Sequence, residues 1–66
     1  MHITVNGENR EYRDDLTAAA LVEQLGLAGK RLAMEVNQEI LPRGRFEQHR
    51  FQPGDRVEIV QAIGGG

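Results

Sequence analysis

The chain has 66 residues, a formal net charge of −2 at pH 7 and no Cys. A chain this short is one small domain that buries only about 60% of its unfolded surface. Without Cys it has no disulfide staple, thiolate nucleophile or Cys-based zinc site, and the composition suits a reducing cytoplasm. The near-neutral charge and the few aromatics, Tyr12, Phe46 and Phe51, argue against nucleic-acid binding, no apolar run approaches the length of a membrane span, and no export leader opens the chain.

His2 to Val5 alternates, with Ile3 and Val5 on one face, and predicts a half-buried strand. Asn6-Gly7 is a strong hairpin signal, because a type I′ turn needs positive φ at both central residues. Asn9 to Tyr12 or Arg13 returns as a polar strand suited to a sheet edge. Thr17 is placed to cap a short helix whose apolar face is Ala18, Leu21, Val22 and Leu25. Asp14 and Asp15 set negative charge near its positive end. Gly26 closes the helix, and Leu27 folds back onto the core.

Arg31 to Asn37 alternates again, with Leu32, Met34 and Val36 on one face. Gln38-Glu39 is the expected turn into a short strand, Ile40-Leu41, which Pro42 ends. Arg43 to Gln48 is irregular, with room for one helical turn, and Phe46 and Phe51 are expected to pack beneath this connection. Gln52-Pro53-Gly54-Asp55 fits a type II turn. Arg56 to Ala62 reads as the last strand, with Val57 and Ile59 facing the core. Val60 and Ala62 continue the other, charged face as apolar residues, leaving an apolar patch next to the C-terminal Gly run. A hairpin, one helix and further strands make a two-layer α+β domain.

A catalytic constellation is missing from this pattern. Gly26 to Lys30 has two residues where a phosphate loop needs four, and it follows a helix instead of opening one. His2 and His49 lack metal-ligand spacing. There is no Ser, and Thr4 and Thr17 have strand and cap roles. Arg43, Arg45, Arg50 and Arg56 form either a solvated face or a patch that steers an acidic partner. The unusual feature is Gly64-Gly65-Gly66. With Gly at roughly 7% of average sequence, three in a row at a given place has a chance on the order of 0.03%. A Gly run is a thin, flexible thread that can pass a narrow channel and present its terminal carboxylate to an enzyme; a frayed end or an expression scar is the other reading.

The element order and the Gly-Gly end resemble the β-grasp, ubiquitin-like fold. Within it, Val36-Asn37-Gln38-Glu39-Ile40-Leu41-Pro42-Arg43, Pro53-Gly54-Asp55-Arg56-Val57-Glu58-Ile59-Val60 and Ala62-Ile63-Gly64-Gly65-Gly66 resemble the ThiS-type sulfur carriers of thiamine biosynthesis. Phe46, where such carriers often have Trp, and the third Gly are departures that leave the Gly65-Gly66 pair intact.

The resemblance implies a β-grasp domain over 1–63 and a flexible Gly tail over 64–66. It implies a mixed sheet of four to five strands with one main helix on one face, and a carrier in place of an enzyme. By that analogy a ThiF-like adenylyltransferase, using ATP and Mg²⁺ in its own site, activates the Gly66 carboxylate. Cysteine desulfurase-derived sulfur converts it to a thiocarboxylate, and a ThiG-like thiazole synthase receives the sulfur. Gly64 and Gly65 form the thread. Val60, Ala62 and Ile63, with Arg43 and Arg45, are the expected partner-binding residues, and no metal or cofactor is expected on the chain itself. The alternatives are a molybdopterin-synthase small subunit, a ubiquitin-like modifier joined to lysines through Gly66, and a β-grasp interaction module with an inert tail.

Overall fold

The computed structural model describes residues 1–62. Strands β1 (His2–Val5) and β2 (Glu8–Glu11) precede helix α1 (Ala18–Gln24). Strands β3 (Leu32–Val36) and β4 (Glu39–Leu41) follow, then a 3-10 turn (Arg43–Arg45) and β5 (Arg56–Gln61). The sheet order is β2-β1-β5-β3-β4. β1 and β5 run parallel, and the other neighbours are antiparallel. This five-stranded mixed sheet, with its helix on one face, is the expected β-grasp arrangement.

The β1–β2 hairpin turns at Asn6 and Gly7, both at positive φ (51° and 84°), as a type I′ turn requires. The polar β2 lies at the sheet edge and starts at Glu8, one residue before the expected strand.

Helix α1 is held at both ends by hydrogen bonds read partly from sequence. The Ala20 N–H donates to Thr17 Oγ1 at 3.1 Å. The Ala18 and Ala19 N–H groups donate to the carbonyls of His49 and Phe46, each at 3.0 Å, so the first-turn donors are satisfied and the connection 42–51 is tied to the helix. At the other end Gly26 takes φ +74°, which Gly tolerates without a Cβ penalty. The Gly26 N–H bonds the Glu23 carbonyl and the Leu27 N–H bonds the Val22 carbonyl, the paired bonds of a Schellman ending. Asp14 and Asp15 serve other partners than the helix end. Asp14 pairs with the Met1 amine at 3.0 Å, and Asp15 with Arg13 at 3.4 Å.

The β3–β4 turn falls at Asn37 and Gln38 (φ 52° and 70°), one residue before the expected Gln38-Glu39. Gln38 occupies a position that usually takes Gly, so the sequence hides the turn. The type II turn before β5 is as expected: Gly54 has φ +86°, and the Asp55 N–H donates to the Gln52 carbonyl at 3.1 Å.

The core lies between α1 and one sheet face. Ile3, Val5, Met34, Val57 and Ile59 from the sheet meet Ala18, Leu21 and Val22 from the helix. Phe46 and Phe51 seal the side covered by the long connection, and Leu27 packs against the rim.

Candidate functional site

Strand β5 lies between β1 and β3 and ends at Gln61, directly before the segment that sequence reading singles out. Two asparagine side chains from the two hairpin turns fasten it. Asn6 Oδ1 accepts from the Ile59 N–H at 2.8 Å, and its Nδ2 donates to the Ile59 carbonyl at 3.2 Å. The side-chain amide thus extends the backbone pairing of β1 beyond that strand's end. At the start of β5, Asn37 Oδ1 accepts from the Arg56 N–H at 2.9 Å, while its Nδ2 donates to Asp55 Oδ1 at 3.0 Å. Asp55, a buried carboxylate, is satisfied further by the Gln52 N–H at 2.8 Å. Sequence reading gave Asn6 a turn role only, and placed Asn37 and Asp55 at a strand end and in a turn. Their long-range bonds carry no local sequence signal.

The register of β3 against β5 fixes what the sheet shows on the side away from the helix. Glu35 faces Glu58, and Ala33 faces Val60. Ala62, one residue past β5, donates its N–H to the Arg31 carbonyl at 3.0 Å. On β4, Ile40 faces Glu35 and therefore shares the open side. Val60 is 67% exposed and Ile40 76%, the two large hydrophobic residues that the described part of the chain leaves in water. Val60 and Ala62 are thus exposed as expected, and Ile40 joins them. A three-residue strand has too little alternation to reveal its outward face.

The two arginines proposed for docking are separated. Arg43 donates from its guanidinium to the Lys30 carbonyl at 3.0 Å, one residue before the Arg31 carbonyl that holds Ala62. It therefore stands near the end of the sheet from which the tail departs. It also lines an open hollow of about 330 Å³ between α1 and the 3-10 turn, with Val22, Glu23 and Phe46. Arg45 lines a different hollow with Leu41, Gln48 and His49. Ile63, Gly64, Gly65 and Gly66 lie outside the described residues.

Among the described residues no group of three His, Cys, Asp or Glu side chains could hold a metal ion. His49 stacks edge-on against Phe51 at 5.1 Å, and its buried Nε2 has no hydrogen-bond partner. No helix among the described residues is long and apolar enough to cross a membrane.

The model of the ThiS family matches residues 3–66. The sulfur carrier protein ThiS of Escherichia coli is 35% identical over 66 residues, all of both chains. A thiazole synthase of Paramagnetospirillum magneticum is 39% identical over 66 residues; the match takes in the whole of this chain and 20% of the synthase. The chain thus spans about one fifth of that relative's length. The crystal structure of the thiamine biosynthesis protein ThiS from Geobacter metallireducens superimposes with a TM-score of 0.84 at 32% identity, covering all of both chains.

Proposed function

The chain belongs to the ThiS family, and from that premise we propose that it carries sulfur for the thiazole ring of thiamine, with Gly66 as the carrier residue. The observation that carries this reading is the end-to-end match to a bacterial sulfur carrier, which runs through the Gly tail. The match to the thiamine family favours this role over a molybdopterin-synthase subunit or a ubiquitin-like modifier.

A carboxylate is a poor electrophile, because its charge is delocalised over both oxygens and neither is a good leaving group. In the proposed cycle the Gly66 carboxylate attacks the α-phosphate of ATP, which a ThiF-like adenylyltransferase holds with Mg²⁺. Pyrophosphate leaves, and the product is an acyl adenylate. A hydrosulfide equivalent, drawn from cysteine by a desulfurase, then attacks the acyl carbon. The C–S bond forms, the C–O bond to AMP breaks, and the chain ends in a thiocarboxylate. A ThiG-like thiazole synthase takes the sulfur, and the matches to thiazole synthases support that partner.

The chain's own residues supply position in this scheme. The two asparagine bonds from Asn6 hold the outer part of β5, and the exposed Val60 and Ala62 lie just ahead of the tail. Gly64 and Gly65 allow a narrow channel to admit the backbone. The test is adenylyltransferase-dependent ATP–pyrophosphate exchange. Full-length chain should support it. Gly65→Val should keep its melting temperature yet lose at least ten-fold in exchange, because a branched side chain blocks the thread. Deletion of Gly66 should abolish it. Undiminished exchange from both variants would overturn the reading.

A further inference from the structure

Of the eight Lys and Arg residues in the sequence, seven are Arg and one, Lys30, is Lys. Both types carry the same charge, but only the lysine amine can shed its proton and attack an acyl carbon; a guanidinium stays protonated. In a chain that carries an activated carboxyl group, a lysine is a nucleophile that competes with sulfur.

The single lysine stands where the tail leaves the sheet. The Ala62 N–H donates to the Arg31 carbonyl at 3.0 Å, and Lys30 is the next residue. Its backbone is held on both sides. The Lys30 N–H donates to the Leu27 carbonyl at 3.1 Å, and its carbonyl accepts from the Arg43 guanidinium at 3.0 Å. The residue is exposed, and among the described residues no carboxylate lies within 4 Å of its amine. Gly66 is four residues beyond Ala62, a stretch that spans at most about 14 Å. That length suffices to bring the Gly66 carboxyl to Lys30. The amine of Met1 is excluded twice. It donates to the Tyr12 carbonyl at 2.7 Å and to Asp14 at 3.0 Å. It also lies at the end of the sheet where β5 begins, since β1 runs parallel to β5 with Thr4 opposite Arg56. The six residues of β5 put roughly 20 Å of strand between that end and the tail.

We infer that Lys30 is a self-acylation site: its amine captures the activated Gly66 carboxyl of the same chain and closes residues 30–66 into a ring. The inference rests on the carrier reading above, which supplies the acyl adenylate. The lysine ammonium first gives a proton to water. The lone pair of Nζ then attacks the acyl carbon, the C–N bond forms, the C–O bond to AMP breaks, and a second proton passes to water. The products are AMP and an isopeptide-closed chain that is lighter than its parent by one water. Holding the amine and the acyl group on one short loop favours this closure over attack by a lysine of another molecule. The closed chain has no terminal carboxylate and leaves the carrier cycle. Closure therefore withdraws carriers that are activated when no sulfur follows.

The test incubates the full chain with ATP, Mg²⁺ and a thiamine-pathway adenylyltransferase, with sulfide omitted. Intact mass should show a monomer lighter by one water, and fragmentation should link Lys30 to Gly66. Lys30→Arg keeps the charge and should keep the melting temperature and the ATP–pyrophosphate exchange, while the closed product falls at least ten-fold. Adding sulfide to the wild-type chain should lower it at least ten-fold as well. Combining Lys30→Arg with Arg13→Lys moves the one lysine beside Tyr12, which pairs with Met1 at the other end of the sheet; this variant should stay open. Exchange without a closed product overturns the inference and leaves the carrier reading standing. Closure that survives Lys30→Arg, closure restored by Arg13→Lys, or linkage between two chains in place of one also overturns it. No exchange at all sinks the carrier reading and this inference with it.

Discussion

On the helix side of the sheet, Ile3, Met34 and Val57 are each 1% exposed beneath α1, whereas on the opposite side Val60 and Ile40 are left mostly in water beside two facing carboxylates. The same strands make both surfaces, because successive side chains point to opposite faces. One face is finished by the chain itself and supplies nearly all of its apolar burial. Among the described residues the other has no layer over it and contributes little to stability, so its composition is free to serve a partner. The division teaches where to look for each property: substitutions facing the helix should change whether the chain folds, and those facing away should change what the folded chain does.

The largest effect expected from that contrast is at Leu21, which is fully buried where α1 meets the sheet. Leu21→Ala should cost about 3 kcal/mol through lost burial and the cavity left behind. In a domain this small that is a large share of the total stability. A thermal melt should fall by more than about 10 °C; a loss under about 1 kcal/mol would mean that the helix face is not what holds the sheet.

The contrast sharpens at Asn6, which belongs to neither face and holds β5 by two side-chain bonds. Asn6→Gly keeps the positive φ of the turn but removes both bonds. The expected loss is about 1.5 kcal/mol by denaturant titration. Hydrogen exchange should rise at the Ile59 amide more than at Met34, since only the former gives its N–H to Asn6. Equal change at both would show a general loss of stability instead of a loosened β5.

The smallest effect on stability is expected at Val60. Val60→Asp should stay within about 0.5 kcal/mol of the parent, as exposed substitutions generally do. Transfer of sulfur to the synthase should nevertheless drop at least ten-fold. A variant that melts early, or one that transfers normally, would break the assignment of stability to one face and function to the other.

How much of this could be read from sequence follows the same physical line. Alternation identified which residues of β1, β3 and β5 face the core, because a strand's side-chain period is two. The Thr17 cap, the Gly26 ending and the Gly54 turn were legible because each rests on chemistry within a few residues. The turn at Asn37 and Gln38 was displaced by one residue, since Gln38 sits at positive φ without being the Gly that such a position favours. Strand order was legible only for the two turn-linked pairs, β1 with β2 and β3 with β4; the place of β5 between β1 and β3 was not, because periodicity assigns faces and not neighbours. That is why the facing of Glu35 and Glu58, the grouping of Ile40 with Val60, and the reach of Asn6 to a residue 53 positions away became visible only in the fold. Arg43 and Arg45, read with Arg50 and Arg56 as either a solvated face or a steering patch, line separate hollows. The Gly tail was the reverse case. Its suggested role came from residue chemistry and family resemblance and lies beyond the described residues.

The most direct test of the carrier assignment is the intact mass of the chain after incubation with ATP, Mg²⁺, a thiamine-pathway adenylyltransferase and a sulfide source. The expected result is a gain equal to the exchange of one oxygen for one sulfur, localised to Gly66 by fragmentation and lost when Gly66 is deleted. No gain, with an adenylyltransferase shown to be active on its own carrier, would contradict it.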